Sequence, residues 1–152
     1  MSVLIRGRVL SFDADPAEVE NAFTYLEDGA VLVEDGRVSA VGDYADLRRD
    51  GVPEIDHRPH LILPGFIDPH IHFPQVQVIA SWGAQLLDWL QNYTFPEESR
   101  FADPAHADRM AGAFLDQLLT HGTTTACAFG SVHPGSVDAL FSAAEVRGMA
   151  ML

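Results

Sequence analysis

Cysteine is nearly absent from this chain. Cys127 is the single one among 152 residues, so no intramolecular disulfide framework can form and no Cys-x-x-Cys motif exists. That removes the cysteine-ligated zinc site of the cytidine-deaminase type. Cys127 sits in an apolar strand-like run with nothing nearby to activate its thiol, which marks it as a small core residue and not a nucleophile. Basic residues are scarce as well: 9 Lys and Arg against 22 Asp and Glu give a net charge of −13. The lack of a basic stripe to neutralise phosphates argues against binding a nucleic-acid polymer, although the imbalance says little about fold. No segment approaches the roughly 18 apolar residues of a membrane span. The start, Met1 to Arg8, has too short an apolar run for a secretory signal, and charges interrupt it. No glycine-rich phosphate loop and no Gly-x-Ser-x-Gly elbow are present. A reducing, cytoplasmic setting is expected, and 47% hydrophobic residues suffice for a core.

The first sixty residues read as β-structure. Val3 to Phe12 is strand-like, and Ala30–Glu34 and Arg37–Val41 flank Asp35-Gly36, a strong two-residue hairpin signal. Tyr44 to Arg49 fits one helical turn, and residues 53 to 60, with two prolines and two histidines, read as a connection. Beyond residue 60 strands alternate with helices. Leu61 to Asp68 reads as a buried strand, and Gly83 to Asn92 carries Leu86, Leu87 and Leu90 at helical spacing. Asp103-Pro104 is a helix start, N-cap then proline at the first helical position. That helix has Met110, Phe114, Leu115, Leu118 and Leu119 on one stripe and stops at Gly122. Thr123 to Phe129 is a second strand, Ser136 caps a third helix ending near Gly148, and Met149 to Leu152 opens another strand. The order is βαβα plus a stub. Parallel strands need both faces covered, and a closed barrel of eight such units takes about 250 residues. The expectation is therefore an α/β chain holding parts of two architectures, residues 1–60 and 61–152, both incomplete and cut short at the C-terminal side.

The chemistry concentrates in Leu63-Pro64-Gly65-Phe66-Ile67-Asp68-Pro69-His70-Ile71-His72. Along a strand, residues two apart point the same way, so His70 and His72 can aim their imidazoles at one point while Ile67 and Ile71 face the opposite side. Converging imidazoles suit zinc or iron. They are half of a catalytic centre, which takes about three protein ligands plus an open position. The alternative is a pair of core-strand histidines satisfied by backbone or water. Asp68 lies on the same face and can either orient a ligand histidine or bond to nearby backbone.

This run resembles the first barrel strand of the amidohydrolase superfamily, preceded by its small β-sandwich segment. The closer resemblance is to the guanine deaminases. It is carried by His70-Ile71-His72-Phe73-Pro74-Gln75, Leu86-Leu87-Asp88-Trp89-Leu90, Tyr93-Thr94-Phe95-Pro96-Glu97 and Gly122-Thr123-Thr124-Thr125-Ala126, and runs essentially the whole length. The resemblance implies the N-terminal part of a (β/α)8 barrel, one zinc as cofactor, guanine as small-molecule substrate and hydrolysis to xanthine and ammonia by an activated water. It implies a homo-oligomer, a dimer, when full-length. It makes His70 and His72 two zinc ligands and Gln75 the residue that hydrogen-bonds the purine, whose edge an amide matches with both donor and acceptor. Read without it, Gln75 is an ordinary polar loop residue. Trp89 has two readings, a stacking wall for the substrate or a core residue on an amphipathic stripe. Pro69 departs from the pattern, where relatives more often have a small or hydroxyl residue, and a proline removes a ladder donor.

The resemblance also places two further histidines, an aspartate and the proton-shuttling glutamate beyond Leu152, so the 152 residues alone are expected to be inactive. Rival readings are another amidohydrolase deaminase or chlorohydrolase, and a shortened, self-associating module without catalysis. His133 falls in a loop after the second strand, more often a supporting position than a ligand. Glu97 and Glu98 read as a solvated pair, and His57, His60, His106 and His121 as loop or helix-surface residues.

Overall fold

A computed structural model describes all 152 residues, Met1–Leu152. The chain divides into two compact units, Met1–Pro64 and Gly65–Leu152.

The first unit is a four-stranded sheet in the order β3-β2-β1-β4. β1 (Ser2–Phe12), β2 (Phe23–Glu34) and β3 (Arg37–Asp43) are antiparallel neighbours, and β4 (Glu54–Ile62) runs parallel to β1. The β2–β3 hairpin turns on Asp35 (φ 51°) and Gly36 (φ 76°). Two successive positive φ values define the tight turn whose twist matches the flanking strands. Leu4, Ala30 and Leu32 are fully buried, and Tyr44 and Leu47 of the one-turn helix α1 (Tyr44–Leu47) pack against them. On the strand surface Arg6 donates from Nε and Nη2 to both carboxylate oxygens of Asp28 (2.7 and 2.6 Å). Its guanidinium also lies 3.6 Å above the centre of the Tyr44 ring, a cation–π contact.

Residues 54–62 form a strand where the prolines suggested a connection. The β1–β4 pairing accommodates Pro59 because its register breaks there: Arg6 pairs with Asp56 and Arg8 with Leu61, leaving residues 57–60 out of the ladder. A residue without an N–H costs nothing where no hydrogen bond is made.

The second unit is a parallel three-stranded sheet, β5-β6-β7, comprising β5 (Phe66–His72), β6 (Thr123–Phe129) and β7 (Ala150–Met151). Leu61 to Asp68 is thus not one buried strand. Leu61 and Ile62 end β4, Phe66 to Asp68 begin β5, and Phe66 and Ile67 are exposed. Gly65 between them has no room for a side chain, since a Cβ there would fall 2.1 Å from Thr124 Oγ1.

Between β5 and β6 the chain is helical for most of its length. A 3₁₀ segment, Phe73–Val78, is followed by α2 (Leu86–Trp89), a π-helical turn over Leu90–Thr94, α3 (Phe95–Ser99), a second 3₁₀ turn (Arg100–Ala102) and α4 (Pro104–Thr120). The Asp103 carboxylate accepts from the Ala105 N–H at 3.0 Å, capping α4. The stripe Met110, Phe114, Leu115 and Leu118 is buried against Phe73, Phe101 and the β6 alanine Ala126, whereas Leu119 is exposed. Ordinary 3.6-residue spacing explains the difference, because Leu119 falls one position past the buried face.

The N-cap position of α5 (Pro134–Arg147) is His133, whose side chain makes no capping bond, and not Ser136. Ser136 lies inside the first turn, fully buried, and closes a ring of hydrogen bonds. The His133 N–H donates to Ser131 Oγ (3.2 Å), the Ser131 and Ser136 hydroxyls are 2.7 Å apart, and Ser136 Oγ donates to the His133 carbonyl (2.8 Å). Arg147 Nε donates to Asp116 Oδ1 at 2.8 Å, joining α5 to α4. No helix is long and apolar enough to cross a membrane.

Candidate metal site

One face of the β5-β6-β7 sheet packs Ile71, Ala126, Ala128 and Met151 on the helical core. Alternation sends Asp68, His70 and His72 to the other face. There His70 Nε2 and His72 Nε2 lie 3.3 Å apart. Two nitrogens bound to one tetrahedral zinc, with Zn–N bonds of about 2.0–2.1 Å, sit about 3.3–3.4 Å from each other. The spacing and the donor type therefore fit two corners of a zinc site. No group of three or more His, Cys, Asp or Glu side chains is placed so that it could hold a metal ion.

Phe129, the β6 partner of His72 in register, holds both rings. Its ring stacks on His72 (4.9 Å between centroids, 16°) and tilts against His70 (4.9 Å, 48°). The sequence reading passed over Phe129. The signal available was its place at the end of the neighbouring parallel strand, level with the histidines. Asp68 Oδ1 accepts from the His70 backbone N–H at 3.0 Å. Its carboxylate holds the strand's main chain, and no bond to an imidazole is made. Cys127 is exposed, contrary to the expectation of a core residue. The apolar composition of β6 concealed that alternate positions face opposite ways, with Ala126 and Ala128 taking the packed side.

Gln75 follows in the 3₁₀ segment. Its Nε2 donates to Glu98 Oε1 at 3.1 Å and lies 3.3 Å from His72 Nδ1. His72, Gln75 and Trp89 share the wall of one cavity of about 620 Å³, along with Ile71, Phe114 and Leu118. The cavity is largely apolar with few polar groups, the usual composition of a small-molecule site. His70 and Asp68 do not line it, and His133 lies away from it, half-buried beside the serine ring.

The Glu97-Glu98 pair is not a solvated face. Glu97 is buried: its Oε2 accepts from Arg100 Nη1 at 2.7 Å, and its Oε1 lies 3.4 Å from His106 Nε2. His106, expected on the helix surface, is 4% exposed and packs edge-on against Phe101. Arg100 Nη1 donates also to Gln77 Oε1 at 2.7 Å. His57 and His60 lie in the other unit along β4, and His121 ends α4 with its ring on the Gln117 carbonyl (2.8 Å).

Comparison with known proteins bears on this geometry directly. Residues 61–151 match the model of the amidohydrolase family, and residues 29–50 match that of a bacterial imidazolonepropionase-like composite domain. The chain is 44% identical over 141 residues to the guanine deaminase of Escherichia coli, covering 91% of this chain and 32% of that protein. It is 41% identical to a probable guanine deaminase of Deinococcus radiodurans, covering 96% and 35%. Among solved structures, guanine deaminase from Bradyrhizobium japonicum superposes with a TM-score of 0.92 at 39% identity, over 99% of this chain and 34% of that one. The chain spans about a third of the length of the curated relatives it matches. With a family match across most of the second unit, and strands and helices that superpose on guanine deaminases, the chain belongs to the amidohydrolase family.

Proposed function

We propose that this chain forms part of a guanine deaminase, in which His70 and His72 are two metal ligands and Gln75 contacts the purine. The carrying observation is the pair of imidazole nitrogens at zinc spacing with Gln75 in contact, in a chain whose relatives are guanine deaminases. A solved guanine deaminase from C. acetobutylicum, 29% identical, holds guanine in its active site.

On this reading the second unit supplies the opening βα units of a (β/α)8 barrel, with β5, α4, β6, α5 and β7 in order, and the first unit is part of a small β-sandwich. A zinc ion held here would supply an activated water near neutral pH. The chain's own residues would do the rest of what falls to them. Phe129 keeps the two imidazoles converged, the Asp68–His70 backbone bond fixes the end of β5, and Gln75 offers an amide to the ring edge. Trp89 closes one side of the cavity with an apolar wall. The same reading carries a homodimeric, cytoplasmic enzyme.

The test is release of ammonia and formation of xanthine by the complete gene product, with guanine, adenine and cytosine offered in parallel. Turnover of guanine, lost in His70→Ala and His72→Ala together with bound zinc, is expected. A polypeptide of only these 152 residues should release none, because two histidines hold metal weakly. Preference for adenine or cytosine would overturn the substrate assignment in favour of another deaminase of the family.

A further inference from the structure

Glu98 is a half-buried side chain that the purine reading leaves without a role. It reaches Gln75 from α3, and the turn that carries it is braced. Arg100 binds Gln77, two residues beyond Gln75 in the same 3₁₀ segment, and also the buried Glu97. Two cross-links, Gln75–Glu98 and Gln77–Arg100, thus tie the 3₁₀ segment to the helical run behind it. The position of Glu98 is set by this brace and not by its own flexible stem.

We propose that Glu98 is a positioning residue that fixes the Gln75 amide with its oxygen toward the cavity, and that this selects ligands presenting a ring N–H. The inference rests on the reading of Gln75 as a purine contact. A carboxylate accepts hydrogen bonds and cannot donate, so the Gln75 NH₂ must face it and Oε1 remains for a ligand. The competing neighbour is His72 Nδ1, 3.3 Å away. A charge-assisted bond to a carboxylate is about twice as strong as a neutral one, so Glu98 decides the orientation. Turning the amide around would set its oxygen against the Glu98 carboxylate, acceptor against acceptor. An acceptor facing the cavity matches the N1–H of a 6-oxopurine and meets the bare N1 of a 6-alkoxypurine with no hydrogen between them.

The experiment compares two purines that carry no 2-amino group to lose, hypoxanthine (ring N–H) and 6-methoxypurine (bare N1). Both are measured by equilibrium dialysis on the zinc-loaded complete gene product. Wild-type protein should prefer hypoxanthine. Glu98→Gln, which can present either an oxygen or an NH₂, should lower that preference on the order of tenfold with zinc content unchanged. Glu98→Asp, still acceptor-only, should restore it, and Glu98→Met supplies the same comparison if Glu98→Gln does not fold. Equal weakening of both ligands, or an unchanged ratio, would reduce Glu98 to a brace and overturn the proposal. Ammonia release from guanine, assayed on the same wild-type sample, reports separately on the deaminase reading.

Discussion

Phe129 stands opposite His72 in the β5–β6 ladder, and its ring stacks on the imidazole at 4.9 Å while also touching His70. One aromatic residue therefore sets the orientation of both candidate ligands. Phe129 is 50% exposed, so truncating it opens little core and should leave the fold intact. Phe129→Ala is expected to weaken zinc affinity of the complete gene product about 10-fold, the lower end of what supporting contacts around a metal contribute. Competition with a chromophoric chelator measures it, and an affinity equal to wild type would show that the rings converge without Phe129.

The core of the second unit gives a paired stability prediction. Leu115 is fully buried on α4, whereas Leu119, one turn later, is 40% exposed. Leu115→Ala should cost about 2–5 kcal/mol through lost burial and the cavity left behind. Leu119→Ala should change stability by about 0.5 kcal/mol or less. Urea denaturation of the two variants separates them, and comparable losses would contradict the burial assigned to α4.

Acid should loosen the α4–α5 contact at a defined place. The Arg147 guanidinium donates to Asp116 and holds its carboxyl below the ordinary carboxylate value of 3.8. A carboxyl depressed in the folded state contributes stability above its unfolded value and loses it as pH falls through the lower folded value. Wild-type protein should therefore exceed Asp116→Asn in melting temperature at pH 6, with the gap closing only below about pH 3.8. The exposed setting keeps the difference small. A gap that persisted unchanged at pH 2 would exclude the charged pair as its source.

Much of the fold was legible because local rules agreed. Asp35-Gly36 announced a hairpin, Asp103-Pro104 a capped helix, and the two strands ending in His72 and Phe129 a parallel pair. The mistakes share one cause, long-range pairing that local composition does not encode. The prolines near residue 58 look like a loop until β1 is known to skip those positions. Leu61 to Asp68 looks like one apolar strand until Pro64-Gly65 is seen to separate two sheets. Ser136 looks like a cap until the ring through Ser131 and the His133 backbone accounts for its hydroxyl. In the site, the histidine pair was readable from strand alternation alone. Glu98 was not, since its partner lies 23 positions earlier and nothing in a Glu-Glu dipeptide says which side faces inward.

What decides between those two glutamates is helical phase. The π turn over Leu90–Thr94 immediately precedes them, and such a turn amounts to one extra residue spliced into an α-helix. Each residue advances a helix by about 100°. Deleting one residue from that turn would rotate everything after it relative to the chain before it, turning Glu98 off Gln75 while leaving Glu97 and Arg100, three residues apart and both beyond the turn, in register. The wide turn works as a phase-setter that faces Glu98 toward the 3₁₀ segment while Glu97 stays with Arg100 and His106.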